Sequence, residues 1–128
     1  MRLIVTRPAD QADQLIAGLQ AMGHDVLHMP LMDIRPIADD DSRQALVARR
    51  CFLDLDYYHM VITISANASR LGLEWLDNYW PQAPVGIQWF GVGPASIAPL
   101  REAALDAQCP AHQFDSEGLL ALPELPAL

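Results

Sequence analysis

The chain of 128 residues has no lysine: its eight basic side chains are all arginines, set against 16 Asp and Glu, for a formal net charge of −8. Lacking lysine, it can form no Schiff base and carries neither a Walker-type phosphate lysine nor a lysine general base. So acidic a chain is a poor nucleic-acid binder, because neutralising phosphates takes a basic patch. Aromatic residues are few at 7%, but a hydrophobic content of 52% supplies one ordinary core. No apolar run approaches the roughly 20 residues of a membrane span. The opening MRLIVTRP has a short apolar stretch and no small-residue cleavage site after it, so it does not read as a signal peptide. Cys51 and Cys109 lie far apart without C-x-x-C spacing, which reads as reduced thiols of a cytoplasmic protein.

What the chain does have is a repeated strand–helix rhythm. Leu3 to Val5 reads as a short buried strand. Ala12, Leu15, Ile16, Leu19 and Met22 then recur at helical spacing, with Asp10 as the expected N-cap and Gly23 as the stop. Val26 to Met29 is the next strand, and the unit reads as βαβ with a parallel pair. In PLMDIRPI, Met32 and Ile34 alternate with Asp33 and Arg35, which predicts a half-exposed strand between prolines. The rhythm then restarts. Ser42 is expected to cap a helix carrying Ala45, Ala48, Phe52 and Leu55. Met60 to Ile64 reads as a strand buried on both faces. Ala68, Leu71, Gly72, Trp75, Leu76 and Tyr79 form a helical stripe ended by Pro81. A strand over 88–92, a helix over 97–104, a strand over 106–109 and a helix over 117–122 complete the order.

The fold class expected is α/β, with doubly wound parallel sheets in two domains of which only part is present. Residues 1–29 are the first βαβ of a discontinuous domain, 30–41 an inter-domain ladder, and 42–128 a second, nearly complete α/β domain. Strands run out at both ends of this scheme, which suggests the front part of a longer protein.

Several strand ends share one pattern, a strand followed by small or hydroxyl residues and a helix start: Thr6-Arg7-Pro8, Ser65-Ala66-Asn67 and the GVGPAS of Gly91 to Ser96. Asp115-Ser116-Glu117-Gly118 is a further helix start. In a parallel sheet such loops gather at the carboxyl edge, where helix N-termini suit anions. Plain capping by Ser65, Ser96 and Ser116 explains the same residues without a ligand. GVGPAS approximates a dinucleotide fingerprint, but Ser replaces the third small residue and no acidic residue follows at a strand end, so nucleotide binding is discounted. The four histidines have no ligand spacing, and no metal site is expected.

These landmarks, in order, resemble the uroporphyrinogen-III synthase family. LIVTRPADQADQL and the G-H-x-V-x-x-x-P-L-x-x-I-x-P of Gly23 to Pro36 are similar to its opening. YYHMVITISANASRLGLEWLDNYWP, FGVGPASIAPL and CPAHQFDSEGLLALPEL resemble its later segments. The resemblance implies a hydro-lyase of heme biosynthesis that cyclises hydroxymethylbilane with inversion of ring D. It implies no cofactor, no membrane or nucleic-acid partner, and a monomer at full length. It carries over Thr6, Arg7, Ser65, Asn67, Gly93, Ser96 and Ser116 as substrate-binding positions and names no catalytic residue. A Gly-rich segment and a tyrosine of the family would lie beyond Leu128, so the fragment alone is expected to be poorly active. The alternative class is a non-catalytic flavodoxin- or receiver-like binding module. TRPAD is a poor flavin phosphate loop, and a receiver's acidic cluster and lysine are missing.

Overall fold

The computed structural model describes residues 1–125 and divides into two compact units, Met1–Pro36 and Ile37–Leu128. Both are built on parallel sheets, and the chain is α/β. No helix among the described residues is long and apolar enough to cross a membrane.

In the first unit, β1 (Arg2–Val5) and β2 (Asp25–His28) pair in parallel with Leu3 opposite Val26 and Val5 opposite His28. Met29 and Leu31 extend the ladder by donating to the carbonyls of Val5 and Thr6 at 2.8 and 3.3 Å. Between the strands runs α1 (Asp13–Ala21). Ala12 is fully buried and Val5 nearly so, whereas Ile4 and Leu27 are 60% and 58% exposed. Side chains alternate across a strand, so α1 covers one face of this pair and the other is open. The expectation of a buried first strand is corrected accordingly. The expected cap is corrected too: Asp10 sits inside a 3-10 turn over Ala9–Gln11, and Ala12 is the N-cap of α1. Pro8, with ψ 144°, holds the chain extended just before that turn. The stop is as expected. Gly23 has φ +87°, its N–H donates to Gln20 O, and His24 N–H donates to Leu19 O, the paired bonds of a Schellman motif.

Residues 30–36 form no strand. The alternation of Met32 and Ile34 has no partner strand among the described residues, and Leu31, Met32 and Ile34 are all exposed.

The second unit opens with α2 (Arg43–Leu53), capped as expected by Ser42, whose Oγ accepts from Ala45 N–H. Three strands follow, β3 (Met60–Thr63), β4 (Gln88–Gly91) and β5 (Ala107–Gln108), all parallel, with β4 in the middle. The crossovers are α3 (Ala66–Tyr79) and α4 (Pro94–Glu102), and α5 (Ser116–Leu120) ends the unit. Leu55, Leu76, Trp89, Ile97, Leu100 and Ala107 form the core where these helices meet the sheet. The middle strand is buried on both faces, as the burial of neighbouring Trp89 and Phe90 shows. β3, an edge strand among the described residues, is not: Ile62 is 47% exposed, and Ile64, just past the strand, is 73% exposed.

Two helix ends depart from the sequence reading. α4 starts at Pro94, not near Ile97, so Pro99 is its sixth residue and withholds an amide from the interior of the helix. The carbonyl left over belongs to Ala95, which is exposed to water. The helix then closes through a second Schellman motif in which Ala104 takes φ +62°; its N–H donates to Arg101 O, and Leu105 N–H donates to Leu100 O. An alanine performs there what Gly23 performs after α1, at a cost of about 1 kcal/mol in left-handed backbone.

The segment entering α2 is tied down by charge. Arg49 donates from Nη2 to Asp39 Oδ1 at 2.6 Å and to Asp40 O at 2.8 Å. Tyr79 donates to Asp39 Oδ2 at 2.5 Å and accepts from Arg49 Nε at 3.0 Å. The ring of Tyr79 continues a stack through Trp75 to Phe52, each step 6.0 Å between centroids. The hydrogen bonds from Tyr79 and Arg49 hold the Asp39 carboxyl below its ordinary 3.8. A depressed carboxyl stabilises the fold fully above 3.8 and loses that effect as pH falls through its lower folded value. The melting-temperature advantage of the wild type over Asp39→Asn is therefore expected to shrink on acidification below 3.8. Thermal melts across that range check it, and a gap that stays constant with pH contradicts the assignment.

Candidate functional site at the carboxyl edge of the second sheet

Parallel pairing sets Thr63 opposite Gly91, and Val92 N–H continues the ladder to Thr63 O at 3.2 Å. The turns into α3 and α4 are therefore neighbours on one sheet edge. Ser65 is the N-cap of α3, as expected, its Oγ accepting from Ala68 N–H at 3.0 Å. Ala66 and Asn67 occupy the first two helical positions, whose amides have no intrahelical acceptor. Asn67 Oδ1 accepts from the Arg70 guanidinium one turn on. No acidic residue stands in this first turn, so the partial positive charge of the helix end is not cancelled.

The other two helix starts are less suited to an anion. Gly93 is the N-cap of α4 and brings no side-chain acceptor. Pro94 follows with no N–H at all, and Ser96 N–H turns back to Gly93 O at 3.1 Å, so Ala95 offers the one remaining amide of that turn. At α5 the N-cap is Asp115, not Ser116: its Oδ1 accepts from Gly118 N–H at 2.9 Å, and Ser116 is the first helical residue, exposed. Hydrogen bonds from Gln113 and then Gly118 hold the Asp115 carboxyl below its ordinary value. With Glu117 beside it, this helix start is already occupied by negative charge.

Ser96 is likewise not a cap. It is the third residue of α4, only 3% exposed, and its carbonyl accepts from Ser69 Oγ at 2.5 Å. Ser96 thus lies in the contact between α3 and α4 rather than on the edge surface. Thr6 and Arg7 belong to the first unit, just past β1. The carbonyl of Arg7 accepts from His28 Nε2–H at 3.0 Å, and its guanidinium has no ion-pair partner among the described residues.

Three residues the sequence reading passed over shape this edge. Ser69, fully buried, shares its hydroxyl proton between Ser65 O and Ser96 O. A serine in mid-helix ordinarily faces solvent or bonds back one turn, so its bridge to α4 left no trace in the pattern. Thr63 Oγ1 donates across the sheet to Phe90 O. Phe114 packs on Gly93, where an added Cβ would lie 3.2 Å from the Phe114 Cβ.

The family model of uroporphyrinogen-III synthase HemD matches residues 13–127. This chain belongs to the uroporphyrinogen-III synthase family. The match takes in α1, β2 and every element of the second unit. It leaves out β1, Thr6 and Arg7, which rest on the likeness of the opening stretch alone.

The edge depends on glycines that leave no room for a side chain. A Cβ at Gly118 would lie 1.9 Å from Gln113 O, and one at Gly91 2.7 Å from Ile97 Cγ2 and 2.8 Å from Ser96 Cβ. At Gly93 the closest contact would be 3.2 Å. Overpacking of this kind costs about 1–3 kcal/mol. Chemical denaturation is expected to rank the alanine variants by loss of stability as Gly118 above Gly91 above Gly93. Gly118→Ala should lie at or beyond the upper end, about 3 kcal/mol. A Gly118→Ala protein as stable as the wild type contradicts the contact with Gln113.

Proposed function

We propose that this chain supplies the substrate-holding part of a uroporphyrinogen-III synthase, which cyclises hydroxymethylbilane to uroporphyrinogen III with inversion of ring D. The family match over residues 13–127 carries this reading. The substrate is a linear tetrapyrrole bearing eight carboxylates. Water leaves from the hydroxymethyl group of ring A, and the resulting azafulvene is attacked by ring D at its substituted carbon. The spiro intermediate then rearranges, and ring D ends inverted. The pyrroles supply the reactivity, so the protein's work is orientation and stabilisation of charge.

The charge balance favours α3 as the carboxylate-holding element. A protein of net charge −8 does not steer a polyanion from a distance. Local donors must hold it, and the first turn of α3 offers the amides of Ala66 and Asn67, the Asn67 side chain and the Arg70 guanidinium without an opposing acid. In this reading Ser65 fixes the helix start, and Gly93 lets Phe114 close over the next turn. Thr6 and Arg7 are proposed as substrate-binding positions of the first unit taken by itself, with a hydroxyl and a guanidinium that has no ion-pair partner among the described residues. Ser96 acts through the α3–α4 contact and Ser116 from the exposed first position of α5.

Freshly generated hydroxymethylbilane given to the complete protein should yield uroporphyrinogen III, resolved from the uninverted isomer by chromatography. Formation of the uninverted isomer alone overturns the reading. Arg7→Ala in the complete enzyme is expected to lower kcat/KM by at least about tenfold, the loss of one charge-assisted hydrogen bond. An unchanged kcat/KM returns Arg7 to an ordinary surface residue.

A further inference from the structure

α3 and α4 start side by side at the sheet edge, and one buried side chain ties the two starts together. Ser69 and Ser96 are 0% and 3% exposed. The Ser69 hydroxyl bonds back one turn to Ser65 O, as helical serines often do, and it also reaches across to Ser96 O in α4. Ser65 is the N-cap of α3. Ser96 N–H donates to the carbonyl of Gly93, the N-cap of α4. Ser65, Ser69, Ser96 and Gly93 thus form a hydrogen-bonded path from one cap to the other.

Among the described residues, Ser69 makes the one side-chain hydrogen bond between α3 and α4. Otherwise the two helices meet through apolar side chains, with Leu76 of α3 sharing a core with Ile97 and Leu100 of α4. Apolar burial is non-directional, so it draws the helices together without fixing how far one slides along the other. A hydrogen bond has a direction and fixes that offset. Serine is there at a cost to the helix: alanine is the better helix former and would bury no hydroxyl.

The offset matters because free donors lie on both sides of it. The amides of Ala66 and Asn67 and the Arg70 guanidinium stand on the α3 side, and the amide of Ala95 on the α4 side. A substrate whose carboxylates touch both turns is oriented only as well as the turns are held relative to each other.

We propose that Ser69 is a positioning residue of the substrate site, whose hydroxyl sets the offset between the donors of α3 and α4. This rests on the reading of α3 as the carboxylate-holding element.

In the complete enzyme, Ser69→Ala is expected to lower kcat about tenfold and to keep KM within about twofold, because the donors remain and only their relative placement is lost. Helical circular dichroism should be retained. Ser69→Cys, which keeps a weak S–H donor, should retain more of kcat than alanine does. Arg70→Ala should lower kcat/KM by itself, and the double variant Ser69→Ala/Arg70→Ala should lose less than the product of the single losses. Once the grip of α3 is weakened, its placement counts for less, whereas a mere loss of folded protein would multiply. Wild-type kcat in Ser69→Ala overturns the proposal, and so do fully multiplicative losses in the double variant. If the alanine variant does not fold, wild-type kcat in Ser69→Cys overturns it equally. The reading beneath it fails separately, through a wild type that forms only the uninverted isomer or an Arg70→Ala enzyme with unchanged kcat/KM, and either result removes this inference as well.

Discussion

Parallel pairing around β4 is the constraint from which the second unit's surface follows. A parallel strand cannot return by a hairpin, so each of β3 and β4 must be followed by a helix that begins at the same sheet edge. Thr63 opposite Gly91 fixes how those two helix starts are staggered. Gly91 then sets how closely α4 comes down on its own strand, since its missing Cβ is the space taken by Ile97 and Ser96. Burial follows the same logic. β4, with a strand on each side, is sealed at Trp89 and Phe90, while the edge strand β3 leaves Ile62 partly open.

Having several helix starts at one edge does not make them equivalent. The favourable field of a helix end falls off within a turn, so what stands in that first turn decides its sign. α3 begins with serine, alanine and asparagine. α4 begins with a proline that subtracts a donor, and α5 with an aspartate and a glutamate that supply the anion themselves. In a chain with a large excess of acid these local differences outweigh any long-range field. They separate a helix end with free donors and no acid from one short of a donor and one already neutralised.

The order of strands and helices was legible because hydrophobic spacing and caps agreed, as at Ser42, Ser65 and Gly23. Where two residues could both cap, the pattern did not choose. Asp115 and Ser116 each suit the role, and the close approach of Gln113 O to Gly118 places the turn so that Asp115 reaches the amide three residues on. Ser96 fits a cap in sequence, but Pro94 is already a good first helical residue and moves the start back to Gly93. Strandedness in PLMDIRPI was not decidable from its own alternation, because a strand is defined by a partner and none among the described residues pairs with it. The reading of Met60 to Ile64 as doubly buried failed for the same reason: a run of apolar residues says nothing of its place in the sheet.

Ser69 joins the two features of this unit. Ser69 helps line an apolar groove between α2, β3 and α3, and the same side chain holds the carbonyl of the α3 cap residue and that of Ser96 in α4. It has a single proton for two acceptors, so the bonds to Ser65 O and Ser96 O share it. Any side chain larger than serine would press α3 from α4, and alanine would remove the hydroxyl that ties α3 to the Ser96 carbonyl. The spacing of α3 from α4, and with it the relative position of two helix starts at the sheet edge, thus depends on a hydroxyl that also lines this groove. Packing under the sheet and donor geometry at its edge are parts of one arrangement.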